Sequence, residues 1–572
     1  MKKKFLSVVL VMILLLSSVV TPAYAADEGR FFENLALKAI STVMNGLTGA
    51  LNSVLKEGEN FVENESFLLE DFYCGTEPLL SEKAEGARWS LGYDYTSLIP
   101  ENMEDYKLYL GGFIALENGF INKVKGVYDD MAVRTVALSD GSGRGVSVFA
   151  TVDSIGLTNR DIRTIRSLLA DLVAEKNINS INIFSTHTHS AIDTQGLWTQ
   201  NYLKIPVNIA SSFTDKVEKL SGTDENYMRF LFERVSESIE KAVSSMKTGE
   251  MTFAQKDIGE EYFKNKNRDS ATALMTDLSR FCFVPDDNST PTIMANMSAH
   301  ADVAGLPVNN DDKAGNYISG DYIYYIGETL NQAGYNFMFF NGAVCGIYIG
   351  REPSADGMEP EERIEICQRY GREIGKMLLS LSKTEEEIRN DPFLSETGDS
   401  AEEMENEEYT LWYENWKAEE EKVVEPLLNV NIKSIRIPIT NHVIKIAAKL
   451  GLINHTVIKE NEKYFVSTEI GTVQLGNIKA VLMPGEICQD LVCGGNSLTA
   501  EGSYSGESFE GKTVYEIFGE DVLVFGLAND TLGYVVPDND YVLGLTLGHY
   551  HELLSPGKST ASALMAEYEK LA

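Results

Sequence analysis

The spacing of apolar positions divides the chain into segments with different periods. In residues 26–89, Leu37, Ile40, Met44, Leu47, Leu51 and Val54 recur at helical spacing. This predicts a helical N-terminal extension whose stripe packs against the main domain. From about residue 90 the pattern changes. Val146 to Val152 is a short run of β-branched and apolar residues, which predicts a buried strand. Asn159 to Lys176 carries Ile162, Ile165, Leu168, Leu169 and Leu172 on one side, with Thr158 placed to cap the helix. Ile181 to Phe184 then reads as the next strand. Strand, helix, strand implies a parallel pair joined by a right-handed crossover, and so an α/β fold. Ligand sites in such sheets lie beyond the carboxyl ends of the strands. The sequence at that point is Ser185-Thr-His-Thr-His-Ser190.

Two segments stand outside this pattern. Lys2, Lys3 and Lys4, the apolar stretch Phe5 to Val20, and Ala23-Tyr24-Ala25 read as a secretory signal over residues 1–25. No later segment is apolar and long enough to span a bilayer. The expectation is an exported, extracellular protein, free or cell-wall-associated. Residues 385–425 hold 16 acidic residues against Arg389, Lys417 and Lys422, interrupted by Trp412, Tyr413 and Trp416. They read as an exposed acidic insertion, either a solvated face or a flap over the substrate.

Composition narrows the function classes. The 572 residues are 44% hydrophobic, enough for a large core, and carry a formal charge of −36. That balance excludes a nucleic-acid footprint and electrostatic docking on anionic lipid. A lipid substrate held by apolar contacts remains open. Six cysteines, Cys74, Cys282, Cys345, Cys367, Cys488 and Cys493, are too scattered for a disulfide framework, although one or two bridges fit the count and Cys488 and Cys493 are the nearest pair.

Seven histidines are present, and two fall in one H-x-H, His187 and His189. If the strand continues that far, positions i and i+2 face one site, and neutral imidazole is a common metal ligand. His300 ends the apolar segment Thr292-Ile-Met-Ala-Asn-Met-Ser-Ala-His. Glu486 ends Val481-Leu-Met-Pro-Gly-Glu. Two histidines and a carboxylate form a familiar hydrolytic zinc set with an open position for water.

From about residue 91 onward the chain resembles the neutral, non-lysosomal ceramidase family. The resemblance rests on collinear segments: Thr186-His-Thr-His-Ser190, Asn296-Met-Ser-Ala-His300, Ile318-Ser-Gly-Asp-Tyr322, Pro484-Gly-Glu486 and Gly526-Leu-Ala-Asn-Asp-Thr-Leu-Gly-Tyr534. It implies central mixed β-sheets flanked by helices, and one catalytic domain over residues 90–572. It implies one zinc ion held by His187, His300, Glu486 and Tyr534. His189, Arg268 and Tyr550 would then stabilise the reacting amide oxygen.

The resemblance has departures. The family's N-x-GDVSPN serine element is replaced by Asn341-Gly-Ala-Val-Cys-Gly-Ile347, with Cys345 near the serine position. The family's Asn-x-Asn-Arg-Ser-Pro element is reduced to Asn265-Lys-Asn-Arg268-Asp. No C-terminal immunoglobulin-like domain is expected after Tyr550. The leading expectation is a zinc amidohydrolase that cleaves an N-acyl amide with zinc-activated water, ceramide being the family's substrate class. Other amides or esters, a non-catalytic lipid- or glycan-binding protein, and a thiol hydrolase using Cys345 are the alternatives.

Overall fold

The computed structural model describes residues 29–63, 73–113, 122–305, 316–350, 358–395, 421–544 and 550–572. Two β-sheets form the centre. The larger has nine strands. Eight run in the order Asn336–Asn341, Thr292–Met297, Asp277–Pro285, Lys247–Asp257, Trp89–Ser97, Ala132–Ser139, Val146–Val152 and Ile178–Ser185, and Lys422–Val423 pairs with Lys247–Asp257. The outermost pair at each end is parallel and the pairs between are antiparallel. The second sheet orders Phe61–Glu63, Val457–Glu460, Lys463–Leu475, Ile478–Leu482 and Leu523–Phe525, with Leu428–Pro438 also paired to Lys463–Leu475.

Period-two alternation explains the layering. On Asp277–Pro285, Phe281 and Phe283 join a core with Leu428, Val430, Leu482 and Phe525 of the second sheet. Leu278 and Cys282, on the other face, join helices Asp321–Gln332 and Pro360–Ser380. Helices Asn159–Leu168 and Glu225–Ser244 cover the rest of that face. Helices His442–Lys449 and Thr560–Tyr568 cover the second sheet. Each large apolar side chain so buried contributes roughly 1.5–3 kcal/mol of transfer free energy.

The strand–helix–strand unit forms as expected. Val146–Val152 and Ile178–Ser185 pair in parallel. Thr158 caps the helix, accepting from the Asp161 N–H at 3.3 Å while its own N–H donates to the Asp161 carboxylate at 3.1 Å. The helix breaks at Leu169, and Ala170–Lys176 follows as a separate turn. Leu168, expected on the apolar side, is 55% exposed because it lies off the line of Ile162, Ile165 and Leu169.

The extension contains the helix Gly29–Val54, with Leu37 and Leu51 buried. Val54 faces solvent, and the next residue, Leu55, packs instead with Ile446 and Leu450. The extension is not helical throughout. Phe61–Glu63 is a strand of the second sheet, and Trp89 begins a central strand.

The ends of the acidic insertion are anchored. Ile388 and Leu394 are buried, and Lys422–Val423 joins the large sheet. Residues 396–420, with Trp412, Tyr413 and Trp416, lie outside the described residues, as does the signal segment 1–25. Among the described residues no helix is long and apolar enough to cross a membrane. All six cysteines are free, so neither the Cys488–Cys493 bridge nor any other is formed.

Candidate metal centre

The ends of both sheets converge on one buried site. The large sheet curls so that the carboxyl ends of its edge strands meet. The Asn341 side-chain amide donates to the Thr186 carbonyl at 2.9 Å, and the Phe184 and Phe340 rings lie 5.0 Å apart. This brings the loops after Ile178–Ser185 and Thr292–Met297 together. The first carries His187 and His189, and the second carries His300. Beyond the second sheet's strands Ile478–Leu482 and Leu523–Phe525, Glu486–Ile487 pairs in parallel with Tyr534–Val535 as a separate two-stranded sheet, with Glu486 and Tyr534 in register.

The two histidines of H-x-H do not converge through strand pleating. The strand ends at Ser185, and His187 has φ +64°, a left-handed conformation that turns the chain. Such strain persists where the surroundings over-determine it, commonly at functional sites. Thr188 bridges to Ala301, and the His189 N–H donates to the Ala301 carbonyl at 2.8 Å. Gly112, φ +102°, passes so close that a Cβ there would lie 2.5 Å from the His189 ring, so only glycine fits.

His187 Nδ1 lies 2.8 Å from the Ile155 carbonyl, and His300 Nδ1 lies 2.9 Å from the Ile347 carbonyl. Carbonyl oxygens only accept, so both Nδ1 atoms carry the proton. In the neutral rings each Nε2 is then a lone pair. Both Nε2 atoms sit 3.2 Å from the same buried carboxylate oxygen, Glu486 Oε2. His189 Nε2 is 3.4 Å from His187 Nε2.

Acceptors crowded in this way repel one another unless a proton or a metal cation lies among them. Ligands about 2.0–2.1 Å from a tetrahedral zinc are about 3.3 Å apart, so the donor set fits that ion in type and spacing. The carbonyl bonds that fix the tautomers are the outer-shell partners such ligands commonly have. His187, His189 and His300 together form a buried group that could hold a metal ion.

Burial alone would raise the Glu486 carboxyl, but His187 and His300 beside it hold it well below its usual range. For His300, burial pulls the pKa down, but Glu486 outweighs it and the net direction is upward. Burial, reinforced by the other two histidines, keeps His189 far below the usual imidazole value, and therefore neutral.

Tyr534 is buried beside Glu486, and burial pushes its phenol well upward. The Tyr550 ring lies 6.3 Å from that of Tyr534. Arg268 is committed to an ion-pair network, with Nε 2.7 Å from Asp540 and Nη1 3.0 Å from Glu552. Cys345 is buried, and burial drives its thiol well above the usual value. It holds no thiolate at neutral pH, which argues against it as nucleophile.

Two residues that sequence reasoning missed also belong here. Tyr348 stacks on the His300 ring, centroids 4.7 Å apart at 14°. His551 is buried with Nε2 unpartnered, its ring 4.0 Å from Tyr550 and 4.6 Å from Tyr534, and burial lowers its pKa to about 4. The signal for Tyr348 was its place on the strand after the altered serine element. For His551 it was adjacency to Tyr550.

An apolar pocket opens against the His187 side of the site. Ile155, Leu197, Trp198, Ile444, Leu532 and Leu554 are among its walls, and His187 and Glu486 also line it.

The two packed sheets, with the histidine–carboxylate cluster at their ends, can be compared with known folds. Two solved structures share the fold, the neutral ceramidase from Pseudomonas aeruginosa and a ceramidase complexed with C2. Each is 13% identical to this chain with a TM-score of 0.53 over 85% of it, covering 74% of the first and 75% of the second. The chain thus has the neutral ceramidase fold at low sequence identity. No family model and no curated protein sequence matches it.

Proposed function

We propose that the protein is a secreted, zinc-dependent hydrolase of N-acyl amides, with ceramide-like lipids as its substrate class. The observation that carries this is the convergence of two imidazoles, each held by a carbonyl at Nδ1, on one buried carboxylate oxygen, 3.2 Å from each. His187, His300 and Glu486 would hold the ion, and Tyr534, in register with Glu486, would complete the set. Bound there, zinc supplies a Lewis acid and lowers the pKa of water to about 7.

The chain's own residues do the rest. The apolar pocket takes an acyl chain and excludes water from it, leaving the amide carbonyl at the histidine end. His189 and Tyr550 hold protons for hydrogen bonds to the carbonyl oxygen as negative charge develops there. Arg268 holds Glu552, and with it the turn that carries Tyr550 and His551. The products are a carboxylate and an amine.

The test is a screen of N-acyl amides of graded acyl length, run as prepared, after chelation, and after zinc is restored. Hydrolysis that is lost on chelation and returns with zinc is the expected result. The altered serine element favours a second reading, a non-catalytic lipid- or glycan-binding protein. Stoichiometric zinc with no turnover anywhere in the screen would establish that reading and overturn the first.

A further inference from the structure

The strand Ile347–Ile349 follows directly on the segment that replaces the family-type serine element. It is tied to the metal centre at several points. The Ile347 carbonyl accepts both the backbone N–H of His300, at 2.8 Å, and its Nδ1–H, at 2.9 Å. The strand also pairs with Phe263–Asn265, and a bridge joins His300 to Tyr348. The Tyr348 ring therefore lies nearly parallel on the His300 imidazole, 4.7 Å away at 14°. The Lys266 ammonium also lies over that ring, 3.9 Å from its centroid, a cation–π contact that holds the phenol in place. At the far end of the ring, the Tyr348 hydroxyl lies within reach of that of Tyr550. Tyr348 thus touches a ligand candidate with its face and an oxyanion-donor candidate with its tip.

We propose that Tyr348 is a positioning residue that couples the two halves of the site. Its ring fixes the plane of His300, and its hydroxyl orients that of Tyr550. A phenol has one proton and can also accept. When Tyr348 donates to the Tyr550 oxygen, the Tyr550 proton is left to point at the substrate carbonyl. A phenol on this strand would thus compensate in part for the missing serine element by ordering a donor already present. The ring's role needs only a metal at His300, whereas the hydroxyl's role rests on the hydrolase reading above.

Two variants separate the roles. Tyr348→Phe keeps the stack and removes the hydroxyl. Tyr348→Leu removes both. Zinc affinity, measured by competition with a chromogenic chelator, is expected to stay within about twofold of wild type in Tyr348→Phe. It should weaken about tenfold in Tyr348→Leu, as outer-shell losses do. With an N-acyl amide, Tyr348→Phe should lower kcat about tenfold at unchanged KM. It should add nothing further when combined with Tyr550→Phe, because one hydroxyl acts through the other. Unchanged zinc affinity in Tyr348→Leu overturns the ring's role, and wild-type kcat in Tyr348→Phe overturns the hydroxyl's. An inactive wild type would refute the hydrolase reading, and the zinc comparison would then decide the proposal alone.

Discussion

Replacing Arg268 separates a structural role from a catalytic one. Its guanidinium lies between two carboxylates, Nε 2.7 Å from Asp540 and Nη1 3.0 Å from Glu552, with side chains 13%, 2% and 0% exposed respectively. Burial opposes the charge, but Glu552 and Asp540 outweigh it and raise the pKa, so the cation is secure. Arg268→Met keeps length and apolar volume but leaves both carboxylates without this partner. Breaking such a buried pair costs about 3–5 kcal/mol. Arg268→Lys keeps a charge but loses the fork that reaches both acids, so the loss should be smaller, roughly 1.5–3 kcal/mol. Urea unfolding followed by tryptophan fluorescence at pH 7 gives both values. A network role predicts that order of stability, with activity losses tracking it. An Arg268→Met protein that unfolds at the wild-type urea concentration, yet has lost a hundredfold or more in kcat, would refute this and assign the guanidinium to the reacting oxygen.

Cys345→Ser should keep wild-type kcat in the N-acyl assay, because burial leaves no thiolate to lose; a loss of turnover without a loss of stability would restore the thiol reading. Gly112→Ala forces a Cβ 2.5 Å from the His189 ring at φ +102°. Its kcat should fall at least tenfold with near-normal zinc content, and unchanged kinetics would show that His189 is not held by this contact. Asp129 is buried, which raises its carboxyl to about 7 even though Ser319, Gly320 and Tyr325 donate to it. The folded state then binds the proton more tightly than the unfolded state. This contribution to stability is complete below about pH 4 and is lost as pH rises through about 7. Relative to wild type, Asp129→Asn should gain stability between pH 4 and 7, and a pH-independent difference in urea titrations would contradict the assignment.

The sequence expectations held where one local rule decides the outcome. The Thr158 cap, the Ile162, Ile165 and Leu169 line, and the parallel strands around them depend on residues a few positions apart. The H-x-H pair was legible as a site, but for a different reason. A left-handed turn at His187, not a continuing strand, brings the rings together. Glu486 meeting His187 depends on two sheets packing face to face so that the loops at their ends meet, and Glu486 facing Tyr534 on a two-residue parallel pairing across 48 positions; no local pattern encodes either. Tyr348 escaped notice because its role comes from stacking on a residue 48 positions earlier. The pairing of Arg268 with Asp540 and Glu552 was not legible in the sequence, because both partners lie far downstream.

The central claim is that His187, His300 and Glu486 hold a metal ion. Elemental analysis of the purified protein alongside His300→Ala and Glu486→Ala tests it most directly. The arrangement predicts one zinc per wild-type chain and less than a tenth of that in either variant, with both variants still folded. No stoichiometric metal in the wild type, or undiminished zinc in both variants, would contradict it.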